Sequence, residues 1–258
     1  MPRSPVLMGL LLVAGIASAA QAPSLEELRA AVVRDPADEN AHRELAIALH
    51  DAHRIDEAIA EFEWLARRSP TERSLLDLAL AYGSGSRWDD AEATYRRILE
   101  TSPNHAIVLH NLGNTAWRRG DPETAIEYYV KAIKAKPDYL LAHARLGDAL
   151  TQAERYRDAY RAYESVLELE PQTAAEADAY YDALYHMAAL DLQMGAHERA
   201  GMMLAELIRA DPDHPKAYYA YGQVLMFMGR EEDAQKAFAE HQRIQANQAP
   251  SSTAAHGD

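Results

Sequence analysis

Residues Ala106 to Pro137, AIVLHNLGNTAWRRGDPETAIEYYVKAIKAKP, hold the pattern from which most of the chain is built. Leu109, Leu112, Gly113 and Ala116 recur at three- and four-residue steps, and so do Ala125, Tyr129, Ala132 and Ile133. Each set makes the apolar face of one amphipathic helix. Gly120-Asp121-Pro122 parts the two. Gly120 suits a left-handed residue that ends the first helix, Asp121 a cap on the second, and Pro122 the first helical position, where a missing N–H costs nothing. Pro137 closes the pair, because proline breaks a helix that tries to continue.

Beyond this stretch the prolines mark a period. Pro36, Pro70, Pro103, Pro137 and Pro171 are separated by 34, 33, 34 and 34 residues, and Pro212 follows after 41. The same residue types return at fixed places: Leu45, Leu78, Leu112, Leu146, Met187 and Tyr221, each followed by a small residue, Ala46, Ala79, Gly113, Gly147, Ala188 and Gly222. Alanines recur at Ala58, Ala91, Ala125, Ala159, Ala200 and Ala234, and four residues on stand Phe62, Tyr95, Tyr129, Tyr163, Leu204 and Phe238. A fixed period of this length marks a solenoid, in which each hairpin of helices buries its apolar side on its neighbours. The small residues let the paired helices approach, and the bulky side chain fills the space one turn along.

These positions resemble the tetratricopeptide repeat, a 34-residue helix-turn-helix with Leu-Gly or Leu-Ala in its first helix, Ala and an aromatic in its second, and a closing Pro. Six copies can be laid out, beginning near Glu39, Glu72, Ala106, Leu140, Tyr181 and Lys216. The resemblance implies an all-α, right-handed superhelical α-solenoid over residues 39–246, headed by a capping helix over 24–36. Ser24 and Glu27 have capping-box spacing at the start of that helix. Three departures carry expectations. Gly83-Ser84-Gly85-Ser86 predicts an early end to the first helix of repeat two. Seven extra residues after Pro171 predict a longer first helix in repeat five, since seven residues are about two turns. Residues 247–258, NQAPSSTAAHGD, have nothing to bury and are expected to be disordered.

The first residues read differently. A single arginine in MPRSP, the apolar run Val6 to Ile16 and the small-x-small Ala17-Ser18-Ala19 have the form of a cleavable export signal over residues 1–19. The run is shorter than the roughly 20 apolar residues of a membrane span. The expected location is therefore an exported compartment, most simply a bacterial periplasm, with no membrane insertion after cleavage; an uncleaved anchor is the alternative. Of 258 residues none is cysteine, which excludes disulfides and thiolate chemistry. The formal net charge of -14 repels phosphate backbones and anionic lipid, so nucleic acid is not an expected partner.

Catalytic and cofactor signatures are missing: no Gly-x-Ser-x-Gly, no phosphate-binding glycine loop with its lysine, no His-Glu-x-x-His and no calcium loop. His42, His50 and His53 with Asp51 read as surface or turn residues and not as a metal site, because His53 falls where the helix ends. What remains is binding. The resemblance implies that first helices line a concave groove, which here places Arg43, His110, Asn114, Trp117, Asp148, Tyr185, Tyr219, Gln223 and Met226 on it. Trp117, Tyr185, Tyr219 and Met226 are side chains of the kind enriched at interface anchors, although packing against neighbouring helices uses such residues too. Asn114 with Arg118 and Arg145 resembles the clamp by which some repeats of this family hold a terminal carboxylate, but the other clamp lysines are absent. The expected function is a non-enzymatic scaffold that holds a protein or peptide, in assembly of a cell-envelope complex. A self-associating structural subunit, or the recruiting subunit of an envelope enzyme, is the alternative, and the oligomeric state is not legible.

Overall fold

The computed structural model describes residues 23–214 and 216–248, so the signal expected over 1–19, and all of the expected tail beyond residue 248, lie outside the described residues. Among the described residues there are thirteen α-helices and no strand. None of these helices is long and apolar enough to cross a membrane. The chain divides into a unit over residues 1–65 and a unit over residues 66–258.

In the first unit, α1 (Leu25–Arg34) packs against α2 (Glu39–Asp51), and α3 begins at Ile55 and runs to Arg68. The capping box forms: Ser24 Oγ accepts from the Glu27 N–H, and the Glu27 carboxylate accepts from the Ser24 N–H. Leu28 is the buried residue of α1, and Leu45, Ala46, Leu49, Ala58, Ile59 and Phe62 are buried in the same unit. His42 is buried with them, its ring stacked 3.7 Å from that of Trp64 and its Nδ1 against Glu61.

The second unit contains five helix pairs. They are α4 (Glu72–Ser84) with α5 (Trp88–Thr101), α6 (Ala106–Arg118) with α7 (Pro122–Ala135), α8 (Leu140–Gln152) with α9 (Tyr156–Leu167), α10 (Ala174–Gln193) with α11 (His197–Ala210), and α12 (Ala217–Phe227) with α13 (Glu231–Gln248). From α5 onward each helix packs on the one before it, and the first helices α6, α8, α10 and α12 also touch one another in series. That serial contact is an α-solenoid. The alanines of the second helices, Ala91, Ala125, Ala159, Ala200 and Ala234, have no exposed surface, and Tyr129 and Tyr163 are 1% exposed. A Cβ at Gly113 would stand 2.5 Å from the Tyr129 ring, and one at Gly147 would stand 2.4 Å from the Tyr163 ring.

One turn closes every hairpin. A left-handed residue stands at His53, Ser86, Gly120, Glu154, Gly195 and Gly229, with φ between 57° and 80°. The residue after it donates its N–H back to the first helix: Arg54 to Leu49, Arg87 to Tyr82, Asp121 to Ala116, Arg155 to Leu150, Ala196 to Asp191 and Arg230 to Leu225. This is the Schellman closure. Gly120 takes the expected left-handed place, the Asp121 side chain accepts from the Thr124 N–H, and Pro122 stands at the start of α7.

The early end expected for the first helix of repeat two does not occur. The helix α4 has 13 residues, as α6 and α8 do, with Gly83 inside it and Ser86, not a glycine, in the left-handed place. Buried Leu75, Leu78, Ala79 and Tyr82 hold it, and such packing outweighs a propensity cost of about 1 kcal/mol per glycine. The insertion after Pro171 does lengthen the first helix of repeat five, α10 having 20 residues. The last helix, α13, continues through Asn247 to Gln248. Tyr180, Tyr181, Tyr218 and Tyr221 are half-buried.

Candidate functional site

The consecutive first helices α6, α8 and α10 enclose a cavity of about 290 Å³. The first, α6, contributes His110 and Asn114; α8 contributes Arg145 and Asp148 with two small or apolar neighbours; and Tyr163 comes from α9. The helix α10 completes the wall, its two additional turns with Ala175, Asp178 and Ala179 and the turn that follows with Asp182. Spacings of three and four residues put His110 with Asn114, Arg145 with Asp148, and Asp178 with Asp182 on single helix faces.

Within this site the polar groups are held by the second helices. Tyr129 Oη donates to Asn114 Oδ1 at 2.8 Å, and Tyr163 Oη donates to Asp148 Oδ1 at 2.9 Å. These are the same bond in consecutive repeats, since in each the acceptor follows the glycine on which the tyrosine ring lies. Arg145 donates to the other Asp148 oxygen at 3.0 Å. His186, stacked on Tyr163, stands 4.0 Å from Asp148. His110 is 7% exposed and lies against the rings of Tyr129 and Tyr139. Burial, with Arg145 nearby, pushes its pKa down to about 4, so the imidazole is neutral at physiological pH. Burial pushes the Tyr129 and Tyr163 hydroxyls up, so both are donors.

Of the residues expected in a groove, His110, Asn114, Arg145 and Asp148 come together in this cavity. Asn114 and Arg118 also line an adjoining cavity of about 440 Å³, with Leu80, Trp88 and Asn111. Trp117 is half-buried against the core of repeats three to five, and Tyr185 is half-buried with His214 and Lys216 around its ring. Tyr219 and Met226 are each 48% exposed on α12, beside exposed Gln223. Arg43 is half-buried on α2, in the first unit.

The carboxylate clamp suggested by Asn114, Arg118 and Arg145 is not what the geometry makes. Arg145 is paired with Asp148, the Asn114 amide oxygen is bonded to Tyr129, and Asp178 and Asp182 share the cavity. The excess of acidic groups disfavours an anion. Sequence reasoning missed Asp178, Ala175 and Ala179, although their place within the insertion, four residues from Asp182 or on the same face, was a usable signal. Among the described residues no group of three metal-capable side chains converges; His53 occupies the left-handed turn position and His50 Nδ1 stands 3.7 Å from Asp51.

Serial helix hairpins with polar cavities among their first helices define a helical-repeat scaffold of the protein-interaction class. The chain belongs to the tetratricopeptide-repeat family: two models of that repeat match it, one over residues 24–73, 76–139 and 110–176, the other over residues 191–255. It is similar to the Mus musculus protein O-mannosyl-transferase TMTC3, 24% identical over 170 residues, which cover 63% of this chain and 18% of that protein. The chain thus spans less than a fifth of that relative's length. Among solved structures it is similar to MamA, with 24% identity, a TM-score of 0.59, and coverage of 67% of this chain and 96% of that one. It is also similar to YrrB, described as a TPR protein with an unusual peptide-binding site, with 18% identity, a TM-score of 0.54, and coverage of 76% and 98%. These likenesses are of fold.

Proposed function

We propose that the chain is a non-enzymatic scaffold that holds a polypeptide segment against α6, α8 and α10, and that it does so in assembly of a cell-envelope complex. The observation that carries this reading is the cavity itself, whose wall is fixed before any partner arrives: Tyr129 holds Asn114, and Tyr163 and Arg145 hold Asp148. A site already ordered spends none of its binding free energy on ordering. A peptide-binding site in a protein of the same fold, YrrB, supports the same use here. The apolar run Val6 to Ile16 with Ala17-Ser18-Ala19 supports an exported, periplasmic location. Fractionation with N-terminal sequencing tests that point, and a cytoplasmic chain that retains Met1 would contradict it.

The functional test blocks the site by shape alone. Ala175 is exposed at the cavity wall, so Ala175→Trp fills the entrance without disturbing the core. The full chain, tagged at its C-terminus and recovered from envelope extract, is expected to retain a specific polypeptide that the Ala175→Trp variant loses. Equal recovery by both would contradict the reading.

One observation favours a second reading, self-association. Met194, Phe227 and Met228 are 60%, 67% and 42% exposed near the left-handed turns of repeats five and six, and exposed apolar clusters of this kind mark contact surfaces. Light scattering over a dilution series, with Phe227→Lys as the comparison, tests it: a mass independent of concentration in both would remove it.

A further inference from the structure

We infer that the cavity among α4, α5 and α6 is a subsite for a tyrosine side chain of the bound polypeptide. The inference rests on the proposed scaffold function and adds the chemistry of one side chain that is held. The cavity, of about 440 Å³, adjoins the first one through Asn114. It opens over Gly83, which stands where the later first helices carry Trp117, Thr151, Leu192 and Met226. A Cβ at Gly83 would meet only the Trp88 ring, at 4.0 Å, so an indole bounds the space above the glycine at van der Waals distance. Leu80 adds a second apolar wall, and none of the lining residues is acidic. A flat apolar body fits this place, whereas a carboxylate would lose its water to Leu80 and Trp88. Arg118, which makes no ion pair among the described residues, repels a lysine or arginine and is a favourable neighbour for an aromatic face.

A second, independent observation is the hydroxyl of Tyr95. In repeats three and four the tyrosine of the second helix donates to the residue after the glycine, Asn114 or Asp148. Repeat two has Leu80 in that place, which offers no acceptor, and Tyr95 makes no hydrogen bond among the described residues. Tyr95 is 3% exposed and lines the cavity. Its oxygen is unpartnered yet not shut off from solvent, so the little surface Tyr95 keeps includes Oη, at the cavity wall. Burial pushes its pKa up, so the hydroxyl is a donor. Polar groups inside native proteins are satisfied by protein, water or ligand, and this one asks an occupant for an acceptor. Phenylalanine has none and tryptophan offers only a donor, whereas the phenolic oxygen of tyrosine accepts. In the same wall the Asn114 amide nitrogen has only contacts at 3.5 Å, which leaves it able to donate to that oxygen as well.

Capped glycine peptides with a central tyrosine, phenylalanine or glutamate, and p-cresol as the free side chain, test the assignment. They are titrated into the full chain carrying isotope-labelled tryptophan, and the Trp88 indole N–H resonance is followed. The tyrosine peptide is expected to shift it saturably and to bind about fivefold more tightly than the phenylalanine peptide, the worth of one hydrogen bond, with no shift from the glutamate peptide. Tyr95→Phe is expected to abolish the preference for tyrosine while the phenylalanine peptide binds as before. Gly83→Leu is expected to abolish both shifts without lowering the melting temperature, because it fills the slot from the protein's own side. Equal affinity for the tyrosine and phenylalanine peptides, or a preference that survives in Tyr95→Phe, would overturn the choice of tyrosine. Shifts from the glutamate peptide, or no shift from any peptide, would overturn the aromatic assignment. Binding of p-cresol as tight as that of the tyrosine peptide would overturn the polypeptide source. Ala175 lies on α10, outside this cavity, so loss of partner capture in Ala175→Trp is read independently and the scaffold reading can survive any of these failures.

Discussion

Tyr163 donates its hydroxyl hydrogen to Asp148 across the two helices of repeat four, at 2.9 Å, while its ring lies where a side chain on Gly147 would stand. One residue thereby sets both the closeness of the helices and the direction of an acid in the cavity wall. Replacing it by phenylalanine keeps the ring and removes the bond. Tyr163→Phe is expected to cost about 1 kcal/mol of stability, the worth of one hydrogen bond, as read by urea unfolding. Phe238, which covers Gly222 in repeat six, shows that the ring alone preserves the packing. A loss above about 3 kcal/mol would mean that the ring had moved too.

Glycines at two places in first helices are expected to respond with opposite signs. A Cβ at Gly147 meets the Tyr163 ring at 2.4 Å, whereas one at Gly83 meets nothing nearer than 4.0 Å. Gly147→Ala should therefore destabilise by about 1 to 3 kcal/mol through overpacking. Gly83→Ala should stabilise by about 0.5 to 1 kcal/mol through reduced freedom of the unfolded chain. Denaturant midpoints of the two variants check this, and a shift of the same sign in both would refute it.

Three of the six left-handed turn positions carry a side chain there, at His53, Ser86 and Glu154. A left-handed conformation costs an L-residue roughly 1 to 2 kcal/mol, part of which glycine gives back as entropy lost on folding. Glu154→Gly, at an exposed position, is expected to raise stability by about 1 kcal/mol. Gly120→Ala should lower it by a similar amount. Thermal unfolding of the pair gives the comparison.

His110 couples folding to pH. Its folded pKa, about 4, lies below the ordinary 6.5, so between those values the unfolded chain binds a proton that the folded chain does not. Stability then rises with pH across that window: it is highest above pH 6.5 and falls as pH drops toward 4, by up to about 3 kcal/mol from this group. Carboxylates with depressed pKa, such as Asp121 held by Thr124, lose stability in the same direction at lower pH. The informative quantity is therefore the difference between the wild type and His110→Gln, whose profile is expected to be flatter between pH 4 and 6.5. Parallel profiles would contradict the burial of a neutral imidazole.

The repeat was legible because its determinants are local. Leu112-Gly113, Ala125, Tyr129 and Pro137 need only fixed spacing to be seen, and their counterparts fall at the same places in the helices. The Gly83 to Ser86 stretch misled because propensity is local while α4 is held by tertiary packing. The site was legible in part. The resemblance to the repeat family put His110, Asn114 and Asp148 in one groove, but it could not show that tyrosines from the second helices bond to Asn114 and Asp148. Nor could it show that the added turns of α10 bring Asp178 opposite Arg145, because both depend on how separate helices stack.

The proposed function requires that the first helices of repeats three to five hold a polypeptide. A photo-crosslinking residue placed at Ala179, in the cavity wall, and in a second chain at Val130, 49% exposed on the second helix α7, tests it inside the cell. A discrete adduct with another polypeptide is expected from position 179 and none from position 130. Equal adducts from both positions, or an adduct from position 130 alone, would contradict it.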